Sequence, residues 1–271
     1  MTTTPSPEAP APGGRVTANG VDMYYEVHGQ GDPLVLLHGA LTGIGSGFGA
    51  LLPELARQRR VIAVEMQAHG RTPDIDRPLR VEHLARDIAA LIGELGLGRV
   101  DVLGYSMGAG VALQLALDRP GLVRRLVLVS MAFHSEGMYP EVVQGIEHLS
   151  PQDLEGTPFH EEYTALAPDP GGWAALVERV KDMDAPGNAP EWTRGQVRSV
   201  AAPVLLVTGD ADIVRPEHAA EMFRLLGGGV PGDLAGLPDA RLAVLPGTTH
   251  TGAVHRERYL APMVAEFLAA A

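Results

Sequence analysis

The sequence predicts an open α/β fold, a mostly parallel central sheet with helices on both faces and one helical insertion. Three observations lead there. Short apolar runs without polar alternation, at 34–37, 61–64, 100–103, 126–129, 204–207 and 242–245, have the pattern of strands buried on both faces. Between them lie segments with apolar residues at helical spacing, and such alternation builds a parallel sheet covered on both sides. The alternation lapses once, from 134 to 200, where no strand-like run occurs.

Taken in order, residues 1–14 are mainly Thr, Pro, Ala and Ser, with neither a basic stretch nor an apolar one, and read as a flexible tail rather than a signal peptide. Residues 15–27 read as a hairpin, because Asn19-Gly20 supplies the positive φ angles of a tight turn between two β-forming runs. The clearest helix carries Val81, Leu84, Ile88, Leu91, Ile92 and Leu95 on one face and stops at Gly96. Further helices are expected over 48–56, 108–117, 218–226 and 256–268, and an irregular loop over 227–238. The amphipathic stretches Val142, Val143, Ile146, Leu149 and Trp173, Leu176, Val177, Val180 make 134–200 a helical insertion in a core formed by 15–133 and 201–271.

Composition excludes several classes of function. A chain of 271 residues with no cysteine has neither thiol nucleophile nor disulfide scaffold, so a nucleophile must be oxygen or nitrogen. A formal charge of −12 repels nucleic acid and anionic membranes, and no basic patch offsets it. No apolar run approaches the roughly 20 residues of a membrane span. The expectation is a cytoplasmic protein without metal or cofactor, acting on a small molecule.

The chemistry concentrates at Gly104-Tyr105-Ser106-Met107-Gly108, a G-x-S-x-G between the 100–103 run and a small-residue helix. In that context the motif is a nucleophile elbow. Serine is held on a strained turn, the flanking glycines avoid clashes, and the helix N-terminus faces the reacting centre. A glycine-rich turn with an incidental serine is the competing reading. A serine hydroxyl needs a base and an orienting acid. His250 lies in a small-residue loop just past the last strand, and Asp210 and Asp212 follow the strand before it.

In these residues and their order, Ser then acid then His, the chain resembles the α/β-hydrolase superfamily from about residue 15 to its C-terminus, specifically its serine esterases with a helical cap. The resemblance implies Ser106, Asp212 and His250 as catalytic triad, Asp212 being preferred over Asp210 by its spacing from Gly209. It makes Leu37-His38-Gly39-Ala40 the oxyanion element, with the Ala40 and Met107 amides as donors and His38 as a brace. The 134–200 insertion becomes the cap. The segment Glu65-Met66-Gln67-Ala68-His69-Gly70 matches a family turn with departures, Glu65 standing where Asp is usual and Ala68 where Gly is common. Candidates for an apolar acyl or aryl pocket are Leu41, Tyr105, Met138, Tyr139, Trp173 and Trp192. The implied activity is a carboxylesterase for small to medium apolar or aromatic esters. The same residues would serve a lactonase, thioesterase, C–C bond hydrolase or cofactor-free perhydrolase, and the fold also serves non-catalytic ligand sensors.

Overall fold

In the computed structural model, which describes residues 13–270, the chain opens with a hairpin of β1 (Gly13–Ala18) and β2 (Val21–His28). Its turn places Asn19 and Gly20 at φ 50° and 85°, the left-handed conformation that this residue pair tolerates. The strand begins earlier than the sequence pattern suggests, because Gly13 and Gly14 pair with Glu26 and Tyr25 through backbone alone. The remainder of the expected tail lies outside the described residues.

There follow β3 (Pro33–Leu37), α1 (Ile44–Phe48), α2 (Leu51–Ala56), β4 (Arg60–Val64), α3 (Val81–Glu94), β5 (Val100–Tyr105), α4 (Met107–Asp118) and β6 (Val123–Val129). Between β6 and the next strand lie α5 (Pro140–His148), α6 (Pro158–Leu166), α7 (Trp173–Asp184) and α8 (Arg194–Arg198), the whole of the 134–200 insertion being free of named strands. The chain then completes the core with β7 (Val204–Ala211), α9 (Pro216–Leu225), α10 (Gly232–Ala235), β8 (Ala240–Thr249) and α11 (Glu257–Ala269).

The strands form one eight-stranded sheet in the order β1-β2-β4-β3-β5-β6-β7-β8. The pairings β1–β2 and β2–β4 are antiparallel, and those from β4 through β8 are parallel. Alternate residues of one strand go to opposite faces. Val35 and Leu37 join α3 and α4 in one core, whereas Leu34 and Leu36 join α1, α2 and α11 in the other. Apolar residues at every position of β3 are therefore required, because both sides of it are covered.

Two expectations need correction. The single helix over 48–56 is two short ones, α1 and α2, broken at Gly49–Ala50. Gly45 and Gly47 hide α1 from any propensity argument, and its N-terminal amides are instead held from the insertion by Glu162. The 227–238 loop contains one short helical turn, α10.

Candidate active site

Ser106 sits between β5 and α4 at φ 53°, ψ −118°, a strained conformation for a residue with a side chain. Backbone crowding explains its neighbours. A Cβ on Gly104 would lie 2.2 Å from the Gly108 carbonyl oxygen, and one on Gly108 would lie 2.1 Å from that of Leu37, so neither position admits another residue. The Ser106 amide donates to the Val129 carbonyl at 2.9 Å, which fixes the turn to the end of β6.

His250 follows β8 directly, and its Nε2 lies 2.9 Å from Ser106 Oγ while its Nδ1 lies 2.8 Å from Asp212 Oδ1. A carboxylate accepting from Nδ1–H leaves the Nε2 lone pair for the serine proton. The Tyr105 hydroxyl donates to the His250 carbonyl at 3.1 Å and steadies the loop from below. Asp212 is enclosed. It accepts from Ser130 Oγ at 2.5 Å, from Thr208 Oγ1 at 3.2 Å, and from the Gly209 and Val214 amides, each at 3.3 Å. Burial by itself would raise its pKa, but the His250 hydrogen bond and charge, with those donors, carry it down to about 2.

The neighbouring acid behaves differently. Gly209 does not end β7 as the sequence suggests. The strand continues to Ala211 with a register shift between Gly209 and Ala211, where a Cβ on Gly209 would meet the Thr248 carbonyl at 1.9 Å. The irregularity separates the two aspartates. Asp212 turns inward to His250, and Asp210 stays exposed with its Oδ1 accepting from the Thr248 amide at 3.1 Å.

Opposite the serine, Ala40 and Met107 line the same cavity as Ser106. Among the described residues neither amide donates a hydrogen bond, and Met107, first in α4, has no intrahelical acceptor. Two buried histidines hold the Ala40 loop. His38 Nδ1 donates to the Gly39 carbonyl at 2.8 Å and its Nε2 accepts from the Met66 amide at 3.0 Å. His69 Nε2 accepts from the Leu41 amide at 3.1 Å, with Nδ1 donating to the Gln67 carbonyl at 2.8 Å. Desolvation lowers both, to about 4 and about 3, so they are neutral braces. Ala68 in the same turn has φ 66°, which is why glycine is common there, and Glu65 is buried against Arg71 Nη1 at 2.8 Å.

The cavity above Ser106 measures about 430 Å³ and is roofed by Met138, Val142, Val143, Ile146, Met183 and Trp192. Of the pocket candidates, Met138 and Trp192 line it. Leu41, Tyr105 and Tyr139 do not: Tyr105 is buried beneath His250, Leu41 is turned by its positive φ of 63°, and Tyr139 is 40% exposed at the start of α5. Trp173 packs on Tyr163 and His160 within the insertion. Sequence reasoning missed Ser130 and Thr208, which hold Asp212, and His69. A polar residue at the end of β6 was the available signal for Ser130, since that is where such sheets place chemistry.

Comparison with known proteins bears on the family and the fold. The alpha/beta hydrolase fold matches residues 32–179. A diacylglycerol lipase of Danio rerio, specific for the sn-1 position, is 37% identical over 121 residues, which are 43% of this chain and 38% of the lipase, so the chain spans well under half of that relative. A 2-hydroxy-6-oxo-6-(2'-aminophenyl)hexa-2,4-dienoic acid hydrolase of Metapseudomonas resinovorans is 29% identical over 231 residues, 77% of each protein. The crystal structure of a serine hydrolase involved in carbazole degradation superposes with a TM-score of 0.76 at 24% identity, covering 94% of this chain and 98% of that one. Among the described residues no helix is long and apolar enough to cross a membrane. The elbow, the strand order and the family match converge: the chain belongs to the α/β-hydrolase family.

Proposed function

We propose that the protein hydrolyses carboxylic esters with apolar acyl or aryl groups, without a cofactor, through an acyl-enzyme on Ser106. Ser106 Oγ attacks the ester carbonyl as His250 Nε2 takes its proton. Asp212 stabilises the resulting imidazolium, and the Ala40 and Met107 amides donate hydrogen bonds to the developing oxyanion. Collapse expels the alcohol, which receives the proton from His250. Water then attacks the acyl carbonyl with His250 again as base, and the carboxylic acid leaves. In this reading 134–200 is the cap that closes the pocket.

One observation carries the preference for esters over the C–C bonds cleaved by some relatives. Among the described residues the lining of the cavity includes no Arg or Lys, so a dienoic acid carboxylate would enter a largely apolar space with no fixed cation. A neutral ester has no such cost. Fluorophosphonate labelling followed by mass analysis is expected to modify Ser106. Turnover of p-nitrophenyl acetate through octanoate is expected, with Ser106→Ala lowering kcat by about 10⁵. A kcat/KM for a 2-hydroxy-6-oxo-dienoate far above that of every ester would replace this reading with C–C hydrolysis.

A further inference from the structure

Asp184 ends α7 and lines the same cavity as Ser106 and His250, on a wall otherwise made of Met138, Val143, Ile146 and Met183. Its carboxyl group has no hydrogen-bond or ion-pair partner among the described residues. The acids that are fully buried among the described residues all have one. Asp87 is paired with Arg77, Asp101 with Arg59 and Arg124, Glu65 with Arg71, and Asp212 with His250. With nothing to compensate its burial, the Asp184 carboxyl is pushed up to about 6 and is still ionised above neutrality. A half-buried carboxylate facing an apolar cavity is costly until a donor reaches it.

The surroundings specify which donor. An outer cleft of about 280 Å³ shares Met138, Val143, Ile146 and Asp184 with the main cavity and adds Glu147, Glu178, Asp182 and Lys181. Lys181 is already within 3.2 Å of Glu178, and Asp182 holds Arg80 at 2.8 Å, so the four carboxylates Glu147, Glu178, Asp182 and Asp184 outnumber the two cations beside them. The approach to Asp184 is therefore acidic, which attracts cations and repels carboxylates.

We propose that Asp184 determines specificity at the end of the substrate remote from the ester bond, and that the preferred esters carry a protonated amino group there. The ammonium would bond the carboxylate while the intervening methylenes lie along the apolar wall. This deepens the ester reading and rests on it.

The test compares isosteric pairs at pH 7.5: p-nitrophenyl 6-aminohexanoate with heptanoate for the acyl side, and 6-aminohexyl acetate with heptyl acetate for the alcohol side. In at least one pair kcat/KM for the amino ester is expected to exceed its neutral partner by about tenfold, the scale of a charge-assisted hydrogen bond. Asp184→Asn should invert or abolish that ratio, lowering the amino ester and raising the neutral one, and Asp184→Glu should retain it. Melting curves establish that both variants are folded. Ratios near unity in both pairs, or a ratio that Asp184→Asn leaves intact, would overturn the assignment while neutral-ester turnover keeps the ester reading standing. No turnover of any of the four esters would overturn both.

Discussion

The two walls of the cavity are built on opposite rules. On the core side the buried acid is saturated by the fold itself, Asp212 taking bonds from Ser130, Thr208, two amides and His250. On the insertion side α5 has no fully buried residue, and Asp184 has no partner among the described residues. Yet the rim of the insertion is well attached. Trp192 donates from Nε1 to Gln114 at 2.8 Å and from its amide to Phe133 at 2.9 Å, and Met138 bridges to Val214. In the proposed reading, the difference teaches that reacting groups are prepositioned before substrate arrives, whereas recognition is left for the substrate to complete.

The sharpest way to break this comparison is within the core wall, where two carboxylates leave the same strand. Asp212→Asn keeps the shape but favours the wrong imidazole tautomer, and kcat on a p-nitrophenyl ester is expected to fall by about 10⁴. Asp210→Asn removes only an exposed brace on the Thr248 amide, and kcat should stay within about threefold. Equal losses in the two variants would mean that the core side is not over-determined around Asp212 alone.

The same contrast explains what was legible in the sequence. The parallel strands β3 to β7 declared themselves because they are largely buried on both faces, whereas β8, with the same apolar run at 242–245, lies at the sheet edge with Val244 47% exposed. The elbow did so because sterics at Gly104 and Gly108 permit one residue type, so backbone geometry is written directly into the residues. Asp212 needed family spacing, since the bulge that separates it from Asp210 depends on the pairing of β7 with β8. Helix α1 and the pocket wall were hidden for a different reason. Apolar spacing in α5 identifies a helix but not which neighbour it faces, and Tyr139 and Trp173 proved to face solvent and the insertion's own core. Tertiary docking chose between them.

A second prediction probes the braces beneath the oxyanion loop. His38 and His69 are neutral when folded, with pKa values near 4 and 3 against about 6.5 in the unfolded chain. Below 6.5 the unfolded state binds more protons, so the stability these residues contribute is complete above 6.5 and is lost as pH falls toward 4. Glu65, raised to about 7, works in the opposite direction: its contribution is complete below about 4.5 and is lost as pH rises through 7. The readout is therefore a difference. Between pH 6.5 and 4, His69→Gln, neutral throughout with an acceptor for the Leu41 amide, should lose about 3 kcal/mol less unfolding free energy than the parent. Parallel curves would mean that His69 titrates normally and that the loop is held by something else.

The smallest expected effect lies at the seam between the two walls. Glu162 of α6 reaches across to accept from the Gly43 amide at 3.0 Å, the Gly45 amide at 2.8 Å and the Ser46 amide and hydroxyl, binding the insertion to the segment that follows Ala40. Glu162→Gln retains one acceptor oxygen but turns an NH₂ group toward those donors, a loss of about 1–2 kcal/mol that should lower Tm by a few degrees. Its kinetic signature decides which wall the clamp serves. If Glu162 secures the roof, KM for octanoate should rise about threefold while kcat for acetate, which needs only the core side, is unchanged. If it secures the oxyanion loop instead, kcat for acetate should fall with KM constant, because an interaction made only in the transition state has been weakened. The second outcome would join the insertion to the prepositioned machinery and erase the division of labour between the walls.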